Sequence, residues 1–428
     1  MHPLALKLLK RYSVDALPVT DQEFAQMMAP LGPYGPDDAS SPVMLAVSGG
    51  ADSMSLALLA RRWRHHVRAL VVDHALREES AEEARITCAR LAQLNITSRI
   101  LTLGPLRLGG VQERARDARF DVLEQACVEA GGSVLLVAHH EADQEETLMM
   151  RYQKQSGFLG MNGMARRSVR ERIAVVRPLL GTRPERLRAT LRHAGIEWCE
   201  DPSNQKRSYH RVRVRQDMTW TDRDTMRKAQ GQAQNRQVEL DQKIVRCLAV
   251  SAIWHPEGWV SLREETVLME PDEVQDFLFA RLIKLIGGQR YLPRLPAVRA
   301  LRDQGGGTLG GASVRRVEGR GPRWLIMREC RGLEGAVPAQ SGQWWDRRWR
   351  YIGPYQSSYF IAALGAKAGP NRVGRDVPAL VLQTLPALWC GNDVVAVPEG
   401  VGGVRESLAR CAFVWESGVP ITGERSVS

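Results

Sequence analysis

The chain has 428 residues, of which 44% are hydrophobic and 25% charged, a composition that indicates a globular protein of about two or three domains. Its net charge is +11, and the segment from Arg151 to Arg215 holds 16 Lys and Arg against 5 Asp and Glu. This concentration of positive charge favours nucleic acid as a partner over a surface that is basic only for solubility.

Seven cysteines are scattered along the chain, and no two of them have C-x-x-C spacing. An odd number at wide spacing predicts reduced thiols and argues against a zinc or iron–sulfur site. Residues 1–14 do not form a secretory signal, and no apolar run approaches the ~20 residues of a membrane span. We therefore expect a cytoplasmic protein without a membrane partner.

In chain order, the first half alternates apolar runs with helical patterns. A short helix is predicted from Thr20 and Asp21 through Met28. The predicted strands are 43–47, 67–72, 96–103, 134–138 and 173–176, and the predicted helices between them are 53–64, 80–94, 111–130 and 143–153. This alternation predicts an α/β fold with a doubly wound parallel sheet, whose ligands bind at the carboxyl ends of the strands.

The second half has a different pattern. A polar helix is predicted over 219–252, and Trp- and Gly-rich pieces follow, with short strands at Trp324–Met327 and Phe413–Trp415 and a loop at Gly305–Gly311. We predict a catalytic domain over 1–218, a helical middle domain over 219–332 and a small α+β C-terminal domain over 333–428 that binds the nucleic acid.

The first strand leads into a polar, glycine-containing string. It reads Ser48, Gly49, Gly50, Ala51, Asp52 and Ser53. The two glycines let the backbone turn closely around an anion, the serines supply hydroxyl donors, and the helix that follows presents free N–H groups. Asp52 would repel a phosphate alone, so we expect it to face a phosphate-bound Mg²⁺. A turn with a helix cap is the structural alternative.

Four further polar strings follow. They are Val72–Arg77, Gln112–Phe120, Ala138–Thr147 and Glu200–Asn204, the last followed by Arg211, Arg213 and Arg215. Within the second string, Arg116 and Arg119 lie on the same helix face as Gln112. Taken singly, each string also has a structural explanation as a strand cap, a solvated helix face or a turn.

The third string carries the candidate acids and bases. Asp143 and Glu146 lie three residues apart on one helix face, so both carboxylates can reach one cationic group. His139 and His140 are neighbours in a predicted strand and point in opposite directions, which argues against a shared metal ion.

The six-residue string resembles the signature of the PP-loop ATP pyrophosphatases, which cleave ATP between its α- and β-phosphates and form an adenylated intermediate. Together and in this order, the five strings resemble the tRNA(Ile)-lysidine synthetase family over roughly residues 43–215. Weaker similarity continues in Trp345-Asp346-x-Arg348 and in the strings at 385–389 and 395–398.

The resemblance implies a fold like that of the adenine nucleotide alpha hydrolases, and a ligase that uses ATP and Mg²⁺. Its partners would be a tRNA(Ile) with a CAU anticodon and free lysine, and a homodimer is compatible with the sequence. ATP would adenylate the carbon-2 oxygen of the wobble cytidine, and the lysine ε-amine would then displace AMP.

By the same resemblance, the loop residues from Ser48 to Ser53 bind ATP, and Asp52 binds Mg²⁺ through phosphate. Asp143 and Glu146 would receive the lysine, with one of them or His139 removing its proton. Arg116 and Arg119 would contact phosphate or the activated base.

The chain departs from the family pattern at Ala142, where an Asp is usual, and at Val212, where an Asn is usual. Three alternatives stay open. They are a tRNA thiolase, a small-molecule amide ligase such as NAD synthetase, and a degenerate PP-loop protein that only binds RNA. Cys88 and Cys127 fall within predicted helices, which argues against the thiolase.

Overall fold

The computed structural model describes residues 16–73, 80–102, 112–170, 172–200, 210–319, 321–355, 357–374, 376–404 and 409–415, with backbone alone at 112–118 and 210. Contacts divide the chain into two compact units, one up to Arg236 and the other from Gln237 to Gly423. The domain boundaries after residues 218 and 332 stay predictions.

The first unit alternates strands with helices. Its strands are β1 (Val43–Val47), β2 (Val67–Asp73), β3 (Thr97–Thr102), β4 (Val134–Leu136), β5 (Arg167–Val169) and β6 (Ala174–Val176). Its helices are α1 (Asp21–Met28), α2 (Ala51–Trp63), α3 (Ser80–Gln93), α4 (Gln112–Glu129), α5 (Glu141–Gln153), α6 (Phe158–Met161), α7 (Pro184–His193) and α8 (His210–Asp217), and α9 (Trp220–Ser251) begins here.

The strands of this unit form one sheet, with the spatial order β3-β2-β1-β4-β6-β5 in the described residues. Neighbouring strands from β3 to β6 are parallel, and β5 pairs antiparallel with β6 at the edge. The predicted doubly wound parallel sheet is confirmed. The sequence does not predict β5, because this short edge strand is half polar and has no alternating pattern.

Side chains of β1 alternate between two cores, because successive residues of a strand point to opposite faces of the sheet. Val43, Leu45 and Val47 pack in one core with residues of α1, α2, α3 and α7. Met44 packs in the other core with Phe120 of α4. Helices therefore cover both faces, which explains why β1 is apolar along almost its whole length.

The order of the strands reverses between β1 and β4. In an open α/β sheet, ligands bind in the crevice outside the carboxyl ends of the strands at such a reversal. The string Ser48–Ser53 follows β1, and the string His139–Asp143 follows β4. The topology therefore places these two strings on either side of one crevice.

In the second unit the described strands pair antiparallel, except for β17 (Asp393–Pro398) and β18 (Ala409–Cys411), which pair parallel. In the first sheet, with order β7-β8-β11-β10-β9, the strands are β7 (Ala252–His255), β8 (Trp259–Arg263), β9 (Gly306–Leu309), β10 (Ala312–Val317) and β11 (Arg323–Arg328), accompanied by α10 (Glu264–Leu268), α11 (Asp272–Ile286) and α12 (Leu295–Asp303).

The remaining strands are short. They are β12 (Val337–Pro338), β13 (Trp344–Trp345), β14 (Trp349–Tyr351), β15 (Tyr359–Ala363), β16 (Pro386–Cys390), β17 (Asp393–Pro398), β18 (Ala409–Cys411) and β19 (Phe413–Trp415), with α13 (Ala368–Asn371) and α14 (Ala379–Gln383). In the described residues they form the sheets β12-β15-β16-β17-β18 and β13-β14-β19. None of the helices described in either unit is long and apolar enough to span a bilayer.

The predicted loop at Gly305–Gly311 is wrong, because Gly306–Leu309 is strand β9 and pairs with β10. Gly306 and Gly307 have φ values of +139° and +151°, which residues with a Cβ rarely adopt. A Cβ on Gly306 would also lie 2.5 Å from the carbonyl oxygen of Val314. Glycine therefore permits a strand here, although a glycine-rich segment usually indicates a loop.

A buried ionic cluster explains the string Trp345-Asp346-x-Arg348. The Asp346 carboxylate accepts hydrogen bonds from Arg328 Nε and Nη2 at 2.9 and 2.8 Å and from Arg348 Nε at 2.8 Å. The three side chains are at most 5% exposed. Burial lowers the pKa of Arg348 to about 10, against the opposing effect of Asp346. The string thus forms part of the core of the second unit.

We predict that Asp346→Asn lowers the free energy of unfolding of the second unit by about 3–5 kcal/mol, because it removes the negative charge that two buried guanidinium groups share. Chemical denaturation followed by tryptophan fluorescence would measure this. Asp393→Asn, at an exposed carboxylate, is the matched control. Equal stability of the two variants would contradict the structural role of the cluster.

Candidate active site

The loop after β1 is closed by the side chain of Ser53. The backbone N–H of Ser48 donates to Ser53 Oγ at 3.2 Å, and Ser53 Oγ donates to the Gly50 carbonyl at 3.0 Å. Gly50 is the N-cap of α2, and no described side chain caps that helix. The first N–H groups of α2 therefore stay available for an anion, as the sequence predicts.

Gly49 is held from two sides. It has a φ of +85°, and its carbonyl accepts the backbone N–H of Cys199 at 2.9 Å. A Cβ at this position would collide with Oγ1 of Thr87, a buried residue whose hydroxyl is hydrogen-bonded to the Glu83 carbonyl at 2.8 Å. Only glycine therefore fits between α3 and the segment that contains Cys199.

Asp52 and His140 join the two sides of the crevice. His140 Nε2 lies 3.3 Å from Asp52 Oδ2 and 3.6 Å from Asp143 Oδ2. Asp143 Oδ2 also accepts the backbone N–H of His140 at 3.1 Å, which fixes the start of α5. The contact therefore connects the first turns of α2 and α5.

The charges around His140 shift its pKa. Burial lowers the pKa of His140, but the hydrogen bond to Asp52 and the charge of Asp143 outweigh this effect, so that the net pKa is raised. Burial raises the pKa of Asp143, but the charges of His140 and Arg211 outweigh this effect and lower it. Each charged form stabilises the other.

The geometry of Asp52 fits a hard cation. Its Oδ2 contacts His140, whereas its Oδ1 is buried and has no hydrogen-bond partner among the described residues. A carboxylate oxygen of this kind is a ligand that Mg²⁺ prefers. No group of three or more His, Cys, Asp or Glu side chains in the described part of the chain is arranged to hold a metal ion by itself. Phosphate oxygens would therefore complete the coordination.

Asp143 and Glu146, predicted as an acidic pair, both contact arginines of α8. Arg211 donates to Asp143 Oδ1 at 2.9 Å and to Glu146 Oε2 at 2.6 Å. Arg215 also binds Glu146 and lies 3.8 Å from Asp143. Glu146 is fully buried, whereas 15% of the Asp143 side chain is exposed. The sequence does not distinguish the two carboxylates, but the structure places only Asp143 at the cavity surface.

These groups surround one cavity of about 1450 Å³, which is large enough for a nucleotide with a further substrate. Several residues that the sequence predicts at the site line this cavity, namely Ser48, Gly50, Ala51, Asp52, Ser53, Arg119, His139, His140 and Asp143. The side chain of Arg116 and the strings at 74–77 and 201–204 lie outside the described residues. Asp73 ends β2 and accepts a hydrogen bond from Ser80 Oγ at 2.6 Å.

Sequence reasoning missed part of the cavity wall. Arg188 and Arg192 lie on one face of α7, and Trp220, Arg223 and Arg227 lie on one face of α9. In each helix these residues are three or four positions apart in the sequence, which indicates a shared helix face. No neighbouring motif shows whether that face points toward the cavity or toward solvent.

Comparison with known proteins identifies the family of this chain. A family model described as a PP-loop domain matches residues 18–221. The tRNA(Ile)-lysidine synthase of Ruegeria pomeroyi is 34% identical over 83% of this chain and 87% of that protein. That of Mesorhizobium japonicum is 31% identical over 85% of each, and that of a Bradyrhizobium strain is 40% identical over 47% of this chain and 57% of that protein.

The chain belongs to the tRNA(Ile)-lysidine synthase family. The family that the five strings indicate is therefore confirmed. The matched PP-loop domain covers β1 and the loop that follows it, whereas the β-rich sheets of the second unit lie outside the match. A solved U34-tRNA thiolase from Methanococcus maripaludis covers 50% of this chain and 78% of its own at 15% identity, with a TM-score of 0.38.

We expect Gly49→Ala to raise the dissociation constant for ATP about tenfold or more, because a Cβ at this position collides with Thr87 Oγ1 and would displace the loop that presents the first N–H groups of α2. Isothermal titration calorimetry would measure this. Gly195→Ala is the matched control, since Gly195 has a φ of +67° and open space around it. Unchanged ATP affinity in Gly49→Ala would contradict the constraint on the loop.

Proposed function

We propose that this chain ligates free lysine to carbon 2 of the wobble cytidine of a tRNA(Ile) with a CAU anticodon, in the cytoplasm, with release of AMP and pyrophosphate. The observation that carries the proposal is the single cavity that contains the PP-loop, the exposed face of Asp143 and a wall of arginines. These features correspond to ATP, lysine and tRNA.

The PP-loop would bind the pyrophosphate part of ATP through the N–H groups of α2 and the hydroxyls of Ser48 and Ser53. Mg²⁺, held by Asp52 and the phosphates, would supply charge neutralisation when bound. His140 keeps the Asp52 carboxylate oriented through its contact at 3.3 Å. Fixed donors matter here because negative charge develops on the departing phosphate oxygens.

Lysine would bind through its ammonium group at Asp143. This carboxylate borders the cavity, and its lowered pKa keeps it charged near neutral pH. Glu146 has a different part in the proposal, because it is fully buried and holds Arg211 and Arg215 in place. Glu146 would thus position the arginines that surround the ammonium site.

A base has to take a proton from the lysine amine before it can attack the adenylated cytidine. The charged Asp143 is a weak base, and His140 is occupied between two carboxylates. His139 lines the same cavity, and a neutral imidazole nitrogen can accept a proton from an amine within hydrogen-bond reach. We assign the proton transfer to His139.

The arginines of the cavity wall would contact the tRNA backbone, and Arg119 would contact phosphate or the activated base, with Arg116 as its predicted neighbour. Backbone contacts of this kind position the nucleic acid but do not select a sequence. They would give a role to the segment from Arg151 to Arg215, which holds 16 Lys and Arg against 5 Asp and Glu.

Incubation of the protein with ATP, labelled lysine and CAU-anticodon tRNAs for isoleucine and methionine tests the proposal. We expect label only in the isoleucine tRNA, with AMP release that requires both tRNA and lysine. Sulfur incorporation would indicate a thiolase, and RNA binding without AMP release would indicate a degenerate PP-loop protein. Either result would overturn the proposed function.

We predict that Asp52→Ala abolishes lysine incorporation while tRNA binding persists, because the substitution removes the cation ligand and the partner of His140 but no arginine of the cavity wall. Filter binding and labelled lysine would measure the two properties. Glu82→Ala, at an exposed carboxylate of α3 outside the cavity, should leave both unchanged. Near-normal turnover in Asp52→Ala would contradict the role assigned to the loop.

A further inference from the structure

Trp220 is an unusual surface residue. It is 75% exposed, more than any other aromatic side chain in the described residues, although burial of an indole ring is strongly favourable. It begins α9 and lines the cavity that contains the PP-loop. An exposed tryptophan beside an active site has a flat apolar surface available to a ligand.

Arginines lie on the wall of the same cavity. Arg223 and Arg227 follow Trp220 on the same face of α9, and Glu145 neutralises part of their charge through contacts of 2.5 and 3.5 Å. Arg188 and Arg192 lie on the face of α7 that lines the same cavity. Both are exposed and have no ionic or hydrogen-bond partner among the described side chains.

This combination is suited to single-stranded nucleic acid. An aromatic ring stacks on a nucleobase, and nearby guanidinium groups bind the phosphates on either side of that base. Two observations argue against a small metabolite at Trp220. The ring is largely open to solvent, and the free arginines lie on a different helix, so that the ligand has to extend across the cavity.

We propose that Trp220 stacks on a nucleobase next to the target cytidine, while Arg188 and Arg192 bind the adjoining phosphates. The inference rests on the proposed function and adds a residue that binds a base of the single-stranded loop. Stacking on Trp220 would hold the base next to the target cytidine away from the other bases of the anticodon loop, so that the cytidine can enter the cavity. The contact accepts different bases, because every base has a flat face.

Steady-state kinetics tests the stacking contact. We expect Trp220→Ala to raise the KM for tRNA about tenfold to a hundredfold, while the KM values for ATP and lysine stay unchanged. Trp220→Phe keeps an aromatic ring and should raise the KM for tRNA by about tenfold or less. Tyr152→Ala is the matched control, since Tyr152 is 60% exposed on the same unit but does not line the cavity.

A spectroscopic measurement separates stacking from a general effect on folding. We place a fluorescent base analogue on one side or the other of the target cytidine in an anticodon stem-loop. Wild-type protein should quench one of the two probes, and Trp220→Ala should bind at saturating protein without that quenching. Equal quenching by both proteins would overturn the inference.

Salt dependence tests the phosphate contacts. Arg188→Gln and Arg192→Gln should each weaken tRNA binding and reduce the slope of log K against log salt concentration by about 1. Unchanged slopes would overturn this part of the inference. If wild-type protein incorporates no lysine, the proposed function fails. If it does, and Trp220→Ala has a normal KM for tRNA, only the inference about Trp220 fails.

Discussion

The contact between Asp52 and His140 is the interaction on which the site depends. It forms only because β1 and β4 are neighbours in the sheet, although 86 residues lie between the last residue of β1 and the first residue of β4 in the chain. A buried imidazole is costly without polar partners, so that the pairing of His140 with Asp52 and Asp143 also stabilises the crevice itself. The same residues therefore hold the two helix N-termini together and present charge to the ligand, and a change at one of them should affect both.

The acidic residues of α5 are balanced by arginines that come later in the chain. Asp143 and Glu146 contact Arg211 and Arg215, and Glu145 contacts Arg223 and Arg227. Buried carboxylates need such partners, since an unpaired buried charge is strongly destabilising. The pairs connect the catalytic sheet to α8 and α9, which carry the basic surface. A polyanion that attracts these arginines would alter the surroundings of Asp143. In the proposed function, nucleic-acid binding and the lysine site would therefore be physically connected.

Features that depend on local sequence were predictable. The parallel strands of the first unit, the glycine loop after β1 and the polar residues after β4 follow from apolar runs, glycines and helix starts. Contacts between distant residues were not predictable. Nothing in the sequence shows that Thr87 and Cys199 enclose Gly49, because that requires three separate segments to meet. The sequence also treats Asp143 and Glu146 alike, since spacing defines a helix face but not the depth of burial along it. For strand β9 the local sequence itself was misleading, because its glycines are typical of a loop but here adopt an extended backbone conformation that glycine permits.

Ala142, the departure from the family pattern, can now be placed physically. It lies in the first turn of α5 and lines the cavity, between His140 and Asp143. The start of α5 does not need a carboxylate at this position, because Asp143 already accepts the N–H of His140 at 3.1 Å. Asp52 keeps a buried oxygen that has no hydrogen-bond partner in the described part of the chain, so that a candidate cation ligand also remains. The substitution therefore removes one negative charge from the cavity wall without disturbing the frame that holds the others. In a cavity that receives polyanionic substrates, a wall with less negative charge repels them less.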